Sequence, residues 1–219
     1  MRCRLGSGEA EIAGAAFQQV LGEIQNDCYD TKLAALKAGD VVVDIGAHIG
    51  LFSCYVALNY PEVRVLAYEP AAANYEHLIR NIAPFPQITA YRVALGDGSP
   101  LRLQYRRLRD YCSSAFYESH LADGAYEMAY SLTLDEILTP HERVALLKMD
   151  CEGAEWQALL TSKLLDERVE HLRMELHHLP QFDALKTSLK QRLQDFAGRN
   201  YQRLRINEVD KLHSEGLAA

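Results

Sequence analysis

The chain of 219 residues carries a formal net charge of −7, with 48% apolar and 24% charged residues. Those proportions are ordinary for a folded domain and exclude wholesale disorder, and the length suits one α/β domain with a sizeable core. The acidic balance argues against a nucleic-acid partner, and no apolar run approaches the ~20 residues that span a bilayer.

The five cysteines (Cys3, Cys28, Cys54, Cys112 and Cys151) are odd in number and scattered, with no C-x-x-C pair. That usage argues against a zinc site or a disulfide framework, and it predicts reduced thiols in a cytoplasmic protein. The start lacks a signal-peptide pattern, and there is no internal repeat.

Residues 1–8, with Gly6 and Gly8, read as a frayed terminus. From Glu9 to Leu36 the stripe Ile12, Phe17, Val20, Leu21 and Ile24 has helical spacing. Asn26-Asp27 interrupts it, and Thr31 caps a second helix ending at Gly39. Residues 1–38 therefore read as a helical lid before a main domain at 39–219. Tyr29, between the two helices, is a candidate cofactor contact.

Val41-Val42-Val43-Asp44-Ile45 is a β-branched run suited to a strand buried on both faces. Gly46 and Gly50 then bracket a turn into the helical Leu51–Leu58. Strand, glycine turn and helix make the first half of a nucleotide-binding unit, with the ligand beside the positive helix N-terminus. The turn lacks the middle glycine of G-x-G-x-x-G, which argues against a pyrophosphate resting on it. A second strand, Val63–Tyr68, ends in Glu69-Pro70, 25 positions after Asp44. A carboxylate there suits a ribose diol, because it accepts from both hydroxyls. Asp44 and Glu69 together describe a pocket for a nucleoside carrying a cation, as S-adenosylmethionine does.

Ala71–Ile82 reads as a helix with Asn74 near its start. Ile88–Leu95 reads as a third strand, closed by Gly96-Asp97-Gly98. Ala94, Leu95 and Asp97 are candidate contacts to a base. Leu101–Arg106 alternates apolar and polar residues, and Ala125–Leu132 is its expected partner strand. The loop between them holds Ser113 and Ser114, candidates for acceptor recognition. The run Arg102, Arg106, Arg107 and Arg109 reads as a solvated face.

Thr133 and Glu136 form a capping box before a short helix. Val144–Met149 is another buried strand. It ends at Asp150 and runs through Cys151-Glu152-Gly153-Ala154-Glu155 into a helix reaching Leu165. Glu152 and Glu155 are candidate acceptor contacts near the pocket. His171–His178 is a further strand, carrying Glu175 and His177. Phe182–Phe196 reads as an amphipathic helix, and Tyr201–Ile206 as a last strand.

In this order, these motifs resemble the FkbM family of S-adenosylmethionine-dependent methyltransferases. The resemblance covers about residues 39–180, and its most specific block is Lys148-Met149-Asp150-Cys151-Glu152-Gly153-Ala154-Glu155. It implies a Rossmann-like class I methyltransferase fold: a mostly parallel central sheet, helices on both faces and an antiparallel strand near the C-terminus. It also implies methyl transfer to a hydroxyl of a small molecule, such as a polyketide, a peptide product or a sugar. The family usually has Asn at the position of His48, and the C-terminal region is short for the usual last hairpin.

The expected cofactor contacts are Tyr29, Asp44, Gly46, His48, Gly50, Glu69, Pro70, Asn74, Ala94, Leu95, Asp97 and Asp150. S-adenosyl-L-homocysteine is the expected product. A neutral alcohol must lose its proton during transfer, and strand-end position makes Asp150, Glu175, His177 and His48 the candidate bases. A divalent cation on Asp150, Glu152 and Glu175 is an alternative, since oxygen ligands suit Mg²⁺, but metal-independent transfer is the preferred reading. The expected partner is a hydroxylated small molecule, and a homodimer is compatible. The competing classes are an NAD-dependent oxidoreductase on the same sheet and a methyltransferase-like protein kept only for binding.

Overall fold

A computed structural model describes residues 2–5, 8–13, 21, 34–105, 113–114, 126–198 and 204–210, with backbone alone at 2, 8, 105, 113–114 and 209–210. It opens with an antiparallel hairpin, β1 (Arg2–Leu5) and β2 (Gly8–Glu11), where a frayed end and the start of a helix are expected. The reason is a period of two: Cys3, Leu5, Ala10 and Ile12 point inward and are buried, while Arg4, Glu9 and Glu11 face solvent. Of the expected helical lid, residues 14–20 and 22–33 lie outside the described residues.

The main domain is built on β3 (Val41–Ile45), α1 (Leu51–Asn59), β4 (Arg64–Tyr68), α2 (Ala72–Ile82) and β5 (Ile88–Tyr91). Every residue of β3 is buried, as a strand with both faces covered requires. Alternate side chains enter two cores: Val41, Val43 and Ile45 one of them, Val42 the other. The hairpin, α1 and α2 cover the second core. The third strand is shorter than Ile88–Leu95. Beyond β5 the chain leaves the sheet, and β6 (Ala94–Leu95) forms a separate parallel pair with residues 131 and 132.

An excursion follows, with β7 (Leu101–Tyr105), β8 (Ser113–Ser114) and β9 (Tyr126–Ala129) in a small antiparallel sheet. β10 (Ser131–Leu132) is the partner of β6, and α3 (Leu134–Leu138) begins with the expected capping box. Thr133 Oγ1 accepts from the Glu136 amide at 3.2 Å, and Glu136 Oε2 accepts from the Thr133 amide at 2.8 Å.

The chain then re-enters the main sheet through β11 (Val144–Met149), α4 (Glu155–Thr161), α5 (Leu165–Arg168) and β12 (Val169–His178). The helix expected to run unbroken to Leu165 divides at Ser162, whose hydroxyl donates to Asp135 at 2.6 Å. A 3₁₀ segment (Pro180–Leu185) leads into α6 (Lys186–Ala197), and β13 (Leu204–Asp210) closes the edge.

The strand order is β13-β12-β11-β3-β4-β5, and every neighbouring pair is parallel. The antiparallel strand expected near the C-terminus does not occur among the described residues. α6 serves as a crossover, so β13 starts from the same end of the sheet as β12 and pairs with it in parallel. The order reverses between β3 and β11. A crevice at such a switch point, outside the carboxyl ends of the strands, is where open α/β sheets bind ligands.

Buried Asn81 ties the N-terminal hairpin to this frame. Its Nδ2 donates to the carbonyls of Ala13 and Ile49, and its Oδ1 accepts from the Ala13 amide, each at 2.8 Å. Asn81→Ala strands those partners and should destabilise the fold by about 3 kcal/mol, read as a lower urea midpoint. A change within error would show that water replaces all three bonds.

Candidate active site

The turn after β3 sits directly over the end of β11. Gly46 has φ +75°, and a Cβ there would come within 1.7 Å of the Asp150 carbonyl oxygen. Gly50 has φ +85°, and its Cβ would meet Leu78 Cδ1 at 2.5 Å. Both positions need glycine for conformation and for space. His48 also lies in the left-handed region, at φ 53°. Asn tolerates that region better than most side chains, which accounts for its usual place here in the family pattern.

Lys148 is the buried centre beneath this turn. Its Nζ donates to the Gly46 carbonyl at 2.8 Å and lies 3.2 Å from Asp44 Oδ1 and 4.0 Å from Asp150 Oδ2. Asp44 is fully buried and its Oδ2 accepts from Ser53 Oγ at 2.7 Å. Asp44 therefore acts by holding the turn from below, and does not present a carboxylate to the crevice. Burial disfavours the charged amine, but Asp44 and Asp150 outweigh it and raise the Lys148 pKa. Sequence reasoning gave Lys148 no role, although a lysine inside the apolar run Val144–Met149 was the available signal.

Glu69 stands at the end of β4, facing the turn. Its Oε2 accepts from the His48 amide at 2.8 Å, and its Oε1 from the Ala71 amide at 3.0 Å and Asn74 Nδ2 at 3.3 Å. Pro70 is half-buried beside it. A carboxylate has about four acceptor sites, so these bonds orient Glu69 without exhausting it. Tyr68 stacks on Tyr91 across β4 and β5, with ring centroids 4.9 Å apart.

Across the switch point, the register that sets Met149 opposite Met174 brings Asp150 level with Glu175. Between them is His177, 1% exposed. Its Nε2 lies 3.5 Å from Glu152 Oε2, 3.8 Å from Asp150 Oδ1 and 3.8 Å from Glu175 Oε2. Its Nδ1 lies 3.2 Å from Glu155 Oε1. Burial works against the imidazolium, but the bond to Glu155 and the charges of Glu155, Glu152 and Asp150 win, pushing the pKa up to about 9. His48 is the opposite case: burial outweighs Asp150 and Glu152 and pulls it down to about 4, so it is neutral at pH 7.

A model of the methyltransferase FkbM domain matches residues 44–205. The chain belongs to this family. It is 46% identical over 73 residues to methyltransferase sdnD of Sordaria araneosa, covering 33% of this chain and 27% of that protein. It is 37% identical over 82 residues to 31-O-demethyl-FK506 methyltransferase FkbM of Streptomyces tacrolimicus, covering 37% of this chain and 32% of that protein. The chain thus spans a third or less of these relatives' lengths. The precorrin-6y C5,15-methyltransferase from Geobacter metallireducens GS-15 shares the fold, with a TM-score of 0.50 at 13% identity over 85% of this chain and 76% of that one.

FkbM membership sets the methyltransferase reading above the oxidoreductase one, and the family implies S-adenosylmethionine as the methyl donor. The contacts at the ends of β3, β4, β11 and β12 bring together Gly46, His48, Glu69, Asp150, Glu152, Glu175 and His177. The other expected contacts have these surroundings. Asp97 is exposed and accepts from the Ser99 amide at 2.9 Å, a turn-forming bond. Ala94 and Leu95 are buried core residues. Glu155, expected at the acceptor, is fully buried: its oxygens accept from the Cys151 and Gly153 amides at 2.7 and 2.8 Å. It shapes the turn that presents Glu152 at φ +55°. Tyr29 and the side chains of Ser113 and Ser114 lie outside the described residues.

Removing the Lys148 charge leaves Asp44 buried beside no cation. Lys148→Met should therefore cost about 3–5 kcal/mol of stability in urea unfolding, and a cost below ~1 kcal/mol would refute the bridging role. Glu69 makes a pH prediction. Burial pushes it up to about 7 from 4.5, despite the Ala71, His48 and Asn74 bonds that pull it down. The folded protein thus keeps a proton that the unfolded chain releases, so this contribution is full below pH 4.5 and lost as pH rises through about 7. The urea midpoint should accordingly fall more steeply from pH 5 to 8 in wild type than in Glu69→Gln. Parallel pH profiles would refute the shift.

Proposed function

We propose that the protein is an S-adenosylmethionine-dependent O-methyltransferase acting on a hydroxyl of a small molecule such as a polyketide, a peptide product or a sugar. The observation that carries this reading is the crevice itself, with an oriented acid, Glu69, on one side and the Asp150, Glu152, Glu175 and His177 cluster on the other. The name of one aligned relative, 31-O-demethyl-FK506 methyltransferase, supports transfer to an oxygen of a small molecule.

Glu69 receives the ribose hydroxyls, and the Gly46–Gly50 turn lets the backbone approach the nucleoside closely. When bound, S-adenosylmethionine supplies an electrophilic methyl carbon whose displacement leaves S-adenosylhomocysteine. The cluster at the ends of β11 and β12 aligns the acceptor oxygen for in-line attack. As the oxygen–methyl bond forms, the hydroxyl proton passes to a carboxylate of that cluster. His177, an imidazolium at neutral pH, is not the base; its charge holds the surrounding carboxylates close together. His48, on the cofactor turn, packs where donor and acceptor meet.

Calorimetric titration of S-adenosylhomocysteine tests the pocket. Wild type should bind, and Glu69→Ala should weaken binding at least tenfold by removing the diol acceptor. A wild type that binds nothing would undo this reading. Binding without release of S-adenosylhomocysteine on any hydroxylated acceptor would favour a binding-only protein.

A further inference from the structure

The cluster around His177 has a geometry that acid–base work does not require. The ligand atoms of Asp150, Glu175 and His177 all lie within 4.8 Å of one another. Asp150 Oδ1 and Glu175 Oε2 are each 3.8 Å from His177 Nε2. These separations are beyond hydrogen-bonding distance. Bonds of ~2.1 Å from one ion to an imidazole nitrogen and carboxylate oxygens place the donors about 3–4 Å apart.

The second observation is behind the ring. A carboxylate only accepts, so the contact with Glu155 makes Nδ1 the protonated nitrogen and turns Nε2 toward the carboxylates. Glu155 is itself immobilised by the Cys151 and Gly153 amides. Farther along, Trp156 Nε1 donates to the His177 carbonyl at 2.8 Å, pinning the end of β12. A buried carboxylate that fixes the tautomer and aim of a histidine is the arrangement that supports metal-bound imidazoles.

We propose that Asp150, Glu175 and His177 Nε2 bind a divalent cation of the Mn²⁺ type, for which a mixed nitrogen and oxygen ligand set is suited. This deepens the proposed methyl transfer and rests on that reading, and it departs from the metal-independent expectation. The cation takes the place of the Nε2 proton, and the same carboxylates balance its charge. Three protein ligands leave coordination positions open toward the crevice. An acceptor hydroxyl bound there loses its proton more readily, because the cation stabilises the alkoxide oxygen. That oxygen forms the new bond to the methyl carbon, the carbon–sulfur bond pair stays on sulfur, and the proton passes to Glu152, the carboxylate outside the ligand set.

The test is titration of the chelator-treated protein with Mn²⁺ alone, followed by electron paramagnetic resonance. One Mn²⁺ per chain should bind at micromolar concentration, and pulsed spectra should carry the modulation of a directly bonded imidazole nitrogen. His177→Gln and Asp150→Asn should each weaken binding at least 30-fold. Glu155→Gln should weaken it about 10–100-fold through ring orientation alone. Glu152→Gln should leave it within about threefold. Absence of nitrogen modulation in wild type overturns the site without relying on any variant. Absence of binding at millimolar Mn²⁺ overturns it equally. If S-adenosylhomocysteine still binds in either case, the methyltransferase reading stands and only the cation site falls.

Discussion

The structure depends on one buried charge. Lys148 lies directly across from Asp44 in the parallel pairing of β11 and β3, where the order of the sheet reverses. Its ammonium joins the Asp44 carboxylate, the Gly46 carbonyl and the approach to Asp150, so a single side chain ties the cofactor turn to the acid-bearing strand. An ammonium and a carboxylate buried together are costly to desolvate, and replacing such pairs with apolar residues is often neutral or stabilising in other proteins. What the pair supplies here is position. It holds Gly46 against the Asp150 carbonyl so closely that no side chain fits between them.

A second set of charges organises the opposite wall. His177 alone faces carboxylates from Asp150, Glu152, Glu155 and Glu175, all within 3.8 Å. Without a cation at its centre, this set would repel itself apart. With the His177 imidazolium there, the acids are held together where β11 and β12 end. The two walls are electrostatically distinct: Glu69 is pushed toward neutrality by burial, while the His177 cluster keeps its charge.

Much of the main domain was legible in the chain. Runs such as Val41–Ile45 and Val144–Met149 are apolar without interruption because both faces are covered, and the glycines at 46 and 50 announce a turn by their own conformational need. Strand-end acids were legible as well, since an acid closing an apolar run is unusual enough to mark a site. The hairpin at Arg2–Glu11 was not, because two four-residue strands separated by Gly6-Ser7 present too short a period to register. The parallel pairing of β13 was equally hidden, as it follows from where α6 delivers the chain and not from the residues of the strand.

The main-sheet strand runs, the glycine turn, the acids at strand ends and membership in a methyltransferase family were determined by sequence alone, because each rests on local composition or on motif order. Only tertiary structure decided which acids face the crevice. Glu152 and Glu155 are three residues apart in one motif, yet one borders the site and the other is sealed behind it. Tertiary structure also decided that Asp44 supports the turn from below while Glu69 faces it, and that His177 is gathered among the carboxylates of β11 and its turn. The physical reason is that burial and charge partnership depend on register between strands distant in the chain. Neither the spacing of residues along one strand nor their chemical type contains that register.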